Sequence, residues 1–409
     1  METKRRTELA GWYRRALLDD VVPFWLRHSL DREYGGYLTC LDRDGSVYGT
    51  DKAMWLQARE VWLFATLYNT LEPRPEWLEA ARLGYRFLRE HGYDADGRMF
   101  FATTREGRPL RKRRYLFTET FGAIAGAQYA VAADDEAAWD LALRTYRLVV
   151  DLYRDPASHP ELAATLAPKT IPGTRRTKSH AMPMIVVATS QEMRRASGDA
   201  SYTAVIDEAI DEILTHFCHR DERALLETVG PHGERLDTPE GRVVNPGHAI
   251  ESAWFMLREA RYRDDRGLQQ RALEVLDWSL EWGWDEPHGG LLYFVDVEGR
   301  PPEQLEWDMK LWWPHTEALY ALLLAHELTG EGRYLAWHDR VHAWSVAHLT
   351  DPAYGEWYGY LHRDGSVALP AKGSMWKGAF HVPRSLLYCM QLLEAPAPEV
   401  GPATLPTIP

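Results

Sequence analysis

The chain has 409 residues, of which 45% are hydrophobic and 12% aromatic, and its formal net charge is −13 at pH 7. This length is enough for one large core, and the acidic excess gives no general support for binding a nucleic-acid backbone. Cys40, Cys218 and Cys389 lie far apart without CxxC spacing, which argues against a disulfide framework or thiolate zinc site. No stretch has the roughly 18 apolar residues that a membrane span requires, so we expect a soluble, cytoplasmic protein.

A repeated pattern appears first near the N-terminus: an acidic turn, a glycine, a short aromatic or β-branched run, and a second glycine turn. It occurs at residues 31–47, 94–110, 285–301 and 351–367, and each segment is typical of a small β-hairpin. Equivalent glycines give a unit of roughly 60 to 65 residues. A weaker segment lies near Leu225, and residues 155–180 form an irregular stretch that we interpret as a long surface loop replacing a hairpin.

The stretches between these segments have apolar residues at spacings of three and four, which predicts two helices in each of six units. We therefore expect an all-α fold: an (α/α)6 barrel of six helical hairpins, with short β-hairpins at one end. The alternative is an open α-solenoid, but no polar capping helix is evident at either end. Residues 1–393 would form this single catalytic domain, and the Pro-rich tail 394–409 is typical of disorder.

Four histidines precede or begin predicted helices, where a closed barrel would bring them to one cavity. They are His180, His248, His315 and His381. Glu251 follows His248 by three positions, so it would lie on the same helical face and could orient that imidazole. Any one such histidine is more often a cap or a packed polar residue, but their recurrence favours a site. Zinc or manganese binding is the rival hypothesis, although no HExxH pair is present.

Other residues could bind a ligand in the same cavity. Arg59 lies within an apolar helix, so it is either a member of a buried ion pair or a ligand for substrate oxygens. Glu119 has a similar setting. Trp312, Trp313 and Trp376 lie beside the histidine motifs and could either pack in the core or stack on a sugar ring. The basic segments 111–114 and 173–178 are typical of solvated loops, with anion binding left open.

Several long motifs resemble the N-acylglucosamine 2-epimerase family, which also contains cellobiose 2-epimerases, mannose 2-epimerases and mannose isomerases. They include KAMWLQAREVWLF, NPGHAIESAWFMLR, QLEWDMKLWWPHTEAL and KGSMWKGAFHVPRSLL. The resemblance implies an (α/α)6 barrel and proton transfer without a metal or redox cofactor. His248 and His381 would be the acid/base pair, and Arg59 and Glu317 would belong to the same site. It also implies a homodimer, with ATP a possible activator.

Histidine side chains are suited to proton transfer at C2 of a sugar. The C2 proton of an open-chain aldose is acidified by the C1 aldehyde, and an imidazole can remove it if the enediolate is stabilised. Epimerisation needs one imidazole on each face of C2, with Arg59 polarising the charged oxygen and Glu251 and Glu317 orienting the bases. We therefore expect interconversion of N-acylglucosamine and N-acylmannosamine, or of glucose and mannose. His180, His315, Glu119 and the three tryptophans would bind the sugar.

Three other functions remain open from the sequence. An aldose–ketose isomerase of the mannose isomerase type would move the proton from C2 to C1. A glycoside hydrolase would need two carboxylates about 6.5 to 9.5 Å apart for inversion. A non-catalytic interaction protein would lose nothing on substitution of His248 and His381.

Overall fold

A computed structural model describes residues 1–112, 115–162, 171 and 174–395 of the chain. The predicted tail lies almost entirely outside these residues, as do parts of the two basic segments and of the 155–180 loop. Within the described residues no helix combines the length and the apolar character needed to cross a membrane.

Among the described residues, the helices form six pairs, each of an inner and an outer helix. The first outer helix is made of α1 (Thr3–Arg15), a π-helical turn (Ala16–Val21) and α2 (Val22–His28). Along the chain follow α3 (Met54–Thr70), α4 (Pro75–His91), α5 (Phe117–Ala133), α6 (Glu136–Arg154), α7 (Ala181–Ser197), α8 (Thr203–Glu212), α9 (Pro246–Arg263), α10 (Arg266–Gly283), α11 (Trp312–Thr329), α12 (Gly332–His348) and α13 (His381–Glu394). The last inner helix, α13, pairs with α1, so the two ends of the chain complete one hairpin.

Inner and outer helices differ in how much of their surface is buried. In α3, 13 of 17 residues are buried, whereas in α4 only 7 of 17 are, and these lie on one face. Each of α3, α5, α7, α9, α11 and α13 packs on the next. The ring closes where Gln391 Nε2 of α13 donates to Thr70 Oγ1 of α3 at 3.2 Å. The predicted (α/α)6 barrel is confirmed, and the solenoid alternative is excluded by this closure.

Short strands lie at one end of the barrel. They are β1 (Cys40–Leu41), β2 (Val47–Gly49), β3 (Lys52–Ala53), β4 (Ala102–Thr103), β5 (Pro109–Arg111), β6 (Lys178–Ser179), β7 (Cys218–His219), β8 (Ala224–Leu225), β9 (Thr228–Val229), β10 (Val243–Val244), β11 (Val295–Asp296), β12 (Lys310–Leu311), β13 (Tyr360–Leu361) and β14 (Val367–Leu369). β1–β2, β4–β5, β7–β8 and β13–β14 are antiparallel hairpins.

Two strand pairings at the turns were not predicted, and one of them replaces a predicted hairpin. Residues 285–301 do not form a two-stranded hairpin, because β11 pairs with β10 from about fifty residues earlier in the chain. At the end of the 155–180 loop, which we interpreted as a surface loop replacing a hairpin, β6 pairs with β9. Both pairings are long-range, so no local pattern indicates them.

The repeated turns are joined by ion pairs of three buried aspartates. Three turn aspartates each accept a hydrogen bond from a buried lysine, in the pairs Asp31–Lys52, Asp285–Lys310 and Asp351–Lys372. Each aspartate also binds an arginine from another turn, in the pairs Asp31–Arg105, Asp285–Arg363 and Asp351–Arg43. Because Arg43 belongs to the first turn and Asp351 to the last, this pair ties the two ends of the barrel together.

Candidate active site

A cavity of about 550 Å³ opens at the end of the barrel where the inner helices begin. Seven of the predicted site residues line it: Arg59, His248, Glu251, Trp312, Trp313, Trp376 and His381. They come from α3, α9 and α11, from the segment before α13, and from the first residue of α13. Barrel closure therefore brings together side chains that are more than 300 residues apart in sequence.

His381 is the first residue of α13, and a carboxylate holds its ring. Its Nδ1 donates to Glu317 Oε1 at 2.7 Å, which leaves Nε2 available to the cavity. The same carboxylate oxygen accepts from Arg384 Nη2 at 2.6 Å, and the other oxygen accepts from Trp254 Nε1 at 2.9 Å. Glu317 is thus fixed by three donors, and it fixes the tautomer of His381 in turn.

His248 lies in the first turn of α9. Asn245 caps this helix by accepting from the His248 backbone N–H at 3.1 Å, and Pro246 occupies the first helical position. The carboxylate that holds the imidazole is Glu227, whose oxygens lie 3.0 and 3.1 Å from Nδ1. The expectation that Glu251 orients His248 is therefore wrong in this detail: Glu251 Oε1 instead accepts from Arg384 at 2.8 Å.

One indole lies beside both imidazoles. The ring centroid of Trp313 is 5.2 Å from that of His248 and 5.7 Å from that of His381. The two imidazoles are therefore close enough to contact a single sugar molecule.

Arg59 carries an unsatisfied buried donor. Its guanidinium lies over the rings of Trp55, Phe121 and Phe380 at 4.3, 4.0 and 4.7 Å, and its Nε has no hydrogen-bond partner among the described residues. Burial and the nearby charge of Arg384 lower the pKa of Arg59 to about 9, so it remains charged at neutral pH. A buried cation with free donors lining a cavity is suited to an oxygen on which negative charge develops.

The pKa values of the two imidazoles are shifted in opposite directions. Burial and the charge of Arg59 lower the pKa of His381 well below its ordinary value. Burial alone would lower the pKa of His248 too, but the charge and hydrogen bond of Glu227 outweigh it and raise the pKa. The lowered pKa favours the neutral form of His381 and the raised pKa favours the protonated form of His248, which is the pairing of base and acid that proton transfer requires.

His315 and Glu119 lie outside the cavity, which argues against their predicted roles in sugar binding. His315 is fully buried: its Nδ1 donates to Leu311 O at 2.6 Å, and its Nε2 accepts from Leu291 N–H at 2.9 Å. Burial lowers the pKa of His315 to about 3. Glu119 is buried against Arg98 and also accepts from the Met99 N–H at 3.0 Å. Both residues connect elements of the framework.

His180 lies behind the site. Its ring centroid is 6.4 Å from that of His248, its Nε2 is 2.8 Å from Ser252 Oγ, and its Nδ1 is 3.8 Å from Glu227. It is buried and is not among the residues lining the cavity. It therefore lies against Glu227 and not at the cavity wall, which argues against its predicted role in sugar binding.

Sequence reasoning missed Glu227 and Arg384. Glu227 lies in the turn between β8 and β9, where no helical spacing or motif marks it. Arg384 is one turn after His381 in the HVPR motif, so its position relative to His381 was available as a signal. Its bonds to Glu251 and Glu317 depend on three helices meeting, which the sequence does not show.

Glu251, Glu317 and His381 offer ligand atoms within 4.8 Å of one another, the spacing of a possible metal site. Arg384 Nη2 donates to both carboxylates of this group. The guanidinium thus supplies the positive charge that a cation would otherwise bring, and the donor set fits an arginine better than a metal ion.

The fold is that of an (α/α)6 barrel with a cavity at one end. The structure is similar to the solved cellobiose 2-epimerase of Spirochaeta thermophila DSM 6192, with a TM-score of 0.81 and 24% identity over 96% of this chain and 98% of that one. The family model described as N-acylglucosamine 2-epimerase matches residues 36–382. The chain is 38% identical to the N-acylglucosamine 2-epimerase of Bos taurus over 99% of this chain and 96% of that protein. It is 37% identical to the N-acylglucosamine 2-epimerase of Homo sapiens, over 97% of this chain and 94% of that protein. The chain belongs to the N-acylglucosamine 2-epimerase family, so the predicted family and its class of enzyme are confirmed.

Proposed function

We propose that this protein is a sugar 2-epimerase that interconverts an N-acylglucosamine and an N-acylmannosamine by proton transfer at C2. The names of the relatives in Bos taurus and Homo sapiens support this substrate class. One observation carries the mechanism: two imidazoles with opposite pKa shifts, each held by its own carboxylate, lie beside the same indole in one cavity.

The first step breaks the C2–H bond of the open-chain sugar. Neutral His381 takes the proton through Nε2, and the electron pair moves through C1–C2 to the aldehyde oxygen, giving an enolate. Arg59 stabilises the charge on this oxygen, since its guanidinium lines the cavity and carries a positive charge.

The second step forms a new C2–H bond on the opposite face. Protonated His248 donates from Nε2 while Glu227 accepts from its Nδ1, and the enolate returns to the aldehyde. One proton leaves C2 and one returns, so the atoms and electrons balance. The imidazoles end in exchanged protonation states, and proton exchange with solvent restores the starting form.

This reaction balances without a redox cofactor or a nucleotide, so the proposal includes none. Activation by ATP, a homodimeric assembly and a cytoplasmic location remain predictions from the sequence.

The test is product analysis in deuterium oxide. With N-acetylmannosamine, the proposal predicts N-acetylglucosamine carrying deuterium at C2, detected by NMR. With mannose, an isomerase of the mannose isomerase type would give a ketose labelled at C1. Formation of ketose with no C2-labelled epimer of either sugar would contradict the proposal.

A further inference from the structure

The last repeated turn, at residues 351–367, has a glutamate where two other turns have a glycine. Counted five residues from the turn aspartate, the equivalent positions are Gly36, Gly290 and Glu356. All three backbones are left-handed, with φ values of 69°, 73° and 53°. Glycine adopts this conformation freely, whereas a residue with a side chain is strained there. Such strain is retained where the surrounding structure needs the side chain, so the contacts of Glu356 are informative.

The Glu356 carboxylate is buried and accepts three hydrogen bonds. The N–H of Trp357 donates to Oε1 at 2.9 Å, and Trp25 Nε1 donates to Oε2 at 2.6 Å. In the two turns with glycine, an inner helix accepts the equivalent N–H, in the pairs Tyr37–Gln57 and Leu291–His315. The third donor to Glu356 is Lys377 Nζ, which lies 2.8 Å from Oε1. The carboxylate therefore joins the last turn to the segment that leads into α13.

Lys377 lies where this segment passes from the mouth of the cavity into the barrel wall. Trp376 is 47% exposed, whereas Lys377 is 1% exposed and residues 378–380 are buried. A tight turn fixes the backbone here: the Ser374 N–H donates to Lys377 O at 2.8 Å, and Ser374 Oγ accepts from the Lys377 N–H at 3.0 Å. His381 follows four residues after Lys377. The lysine thus anchors the chain immediately before the catalytic imidazole.

The two imidazoles differ in how their helices begin. Asn245 caps α9 and so holds the backbone of His248. The capping position of α13 is Phe380, which makes no side-chain cap hydrogen bond among the described residues. Glu317 fixes the tautomer of the His381 ring, but it does not hold the backbone of that residue. The position of His381 therefore depends on the segment that Lys377 anchors.

We propose that Glu356 and Lys377 are positioning residues, whose ion pair sets where His381 lies relative to C2 of the sugar. This inference rests on the proposed function. Neither residue lines the cavity, so their effect on turnover is indirect. A buried ion pair is weak evidence for added stability, because desolvation offsets the attraction, but this pair fixes the geometry of the two segments that it joins. A displacement of about 1 Å at a catalytic group can slow a reaction about 100-fold.

The test compares the two faces of C2 by NMR in deuterium oxide, with N-acetylglucosamine and N-acetylmannosamine separately. Only one epimer presents its C2 hydrogen to His381, and it is the epimer that His248→Asn still exchanges. Relative to the wild type, Lys377→Met should slow exchange of this epimer about 10- to 100-fold more than exchange of the other epimer. Lys377→Arg keeps the cation and should restore part of the rate.

Lys52→Met is the matched control. Lys52 is also buried and pairs with Asp31 in the first turn, but the helix that it precedes carries no histidine. Its loss should leave the ratio of the two exchange rates unchanged. If Lys377→Met keeps the wild-type ratio, or if Lys52→Met changes the ratio as much, the pair does not position His381.

A double variant decides the question if circular dichroism shows that Lys377→Met does not fold. Glu356→Gly combined with Lys377→Met leaves neither charge of the pair buried without its partner, and it gives the last turn the glycine of the other turns. This variant should change the ratio of exchange rates in the same direction. A wild-type ratio in the folded double variant would overturn the inference.

A second readout needs no turnover. In protein with ¹³C-labelled histidine, the imidazole signal of His381 is assigned by its loss in His381→Asn. This signal should move in Lys377→Met and stay in place in Lys52→Met, and an unmoved signal in Lys377→Met would contradict the inference. Failure of the proposed function would appear separately, as a wild-type protein that exchanges the C2 hydrogen of neither epimer while the His381 signal still responds to Lys377→Met.

Discussion

Glu317 accepts a 2.7 Å hydrogen bond from Nδ1 of His381, and this contact determines which nitrogen of the imidazole can act as a base. With the proton fixed on Nδ1, the lone pair is on Nε2, available to the cavity. Glu227 holds His248 in the same way from a different part of the chain. The site is therefore built from two carboxylate–imidazole pairs, and the difference in their surroundings sets the two pKa values apart.

Replacing Glu317 with Gln should nearly abolish turnover. An amide can donate to Nδ1 and thereby favour the tautomer with the proton on Nε2, which removes the base. We expect kcat to fall by about 10²- to 10⁴-fold, as for loss of a general base. Steady-state kinetics on folded protein checks this, and a fall of less than tenfold would show that the Glu317 contact does not set the tautomer.

The pH profile should depend on Glu227. Activity should fall in acid as His381 becomes protonated, and in alkali as His248 loses its proton, because their pKa values are respectively lowered and raised. Glu227→Gln removes the charge that raises the pKa of His248. The alkaline limb of kcat/KM should then move about one to three pH units lower while the acid limb stays. Glu306→Gln, a cavity carboxylate without a described bond to either imidazole, is the control. An alkaline limb unmoved by Glu227→Gln would contradict the assignment of His248 as the acid.

His315 should prove structural. His315→Ala leaves the Leu291 N–H and the Leu311 carbonyl without their buried partner, which should cost about 2 to 5 kcal/mol of unfolding free energy. Because the pKa of His315 is lowered in the fold, its contribution to stability is complete above pH 6.5 and declines as pH falls toward about 3. Urea unfolding measures this. A rise in KM of more than tenfold with unchanged stability would instead restore the predicted role in sugar binding.

The buried pair of Asp351 with Lys372 should stabilise the last turn of the barrel. Asp351→Asn leaves Lys372, which is fully buried, without its carboxylate, and should lower the unfolding free energy by about 3 kcal/mol. Glu281→Gln breaks an exposed pair with Arg223 and should barely change the unfolding midpoint. Equal effects of the two substitutions in chemical unfolding would show that the buried Asp351–Lys372 pair does not stabilise the fold.

The sequence predicts the barrel because its signals are local. Helical spacing and recurring glycine turns belong to each unit separately, and Gly36, Gly97, Gly290 and Gly355 do have positive φ values of 69°, 81°, 73° and 77°. The pairing of β10 with β11 could not be predicted, since it joins strands of different units through their arrangement in space.

In the candidate site, too, the local features were predictable and the long-range contacts were not. His248 and His381 begin helices, within motifs that also carry the family resemblance. Their true hydrogen-bond partners were harder to assign: Glu251 has the right helical spacing for His248, but Glu227 lies closer once the turn between β8 and β9 folds over α9. His315 has the same sequence setting as the site histidines. It packs against Trp344, with ring centroids 4.6 Å apart, and so lies within the wall.

The most direct test of the mechanism is C2–H exchange by single-histidine variants in deuterium oxide, followed by NMR with each epimer separately. His248→Asn should lose epimerisation yet still exchange the C2 proton of the one epimer whose hydrogen faces His381. His381→Asn should exchange only the other epimer. If either variant still epimerises at a rate near the wild type, or if both exchange the same epimer, then His248 and His381 do not act on opposite faces of C2.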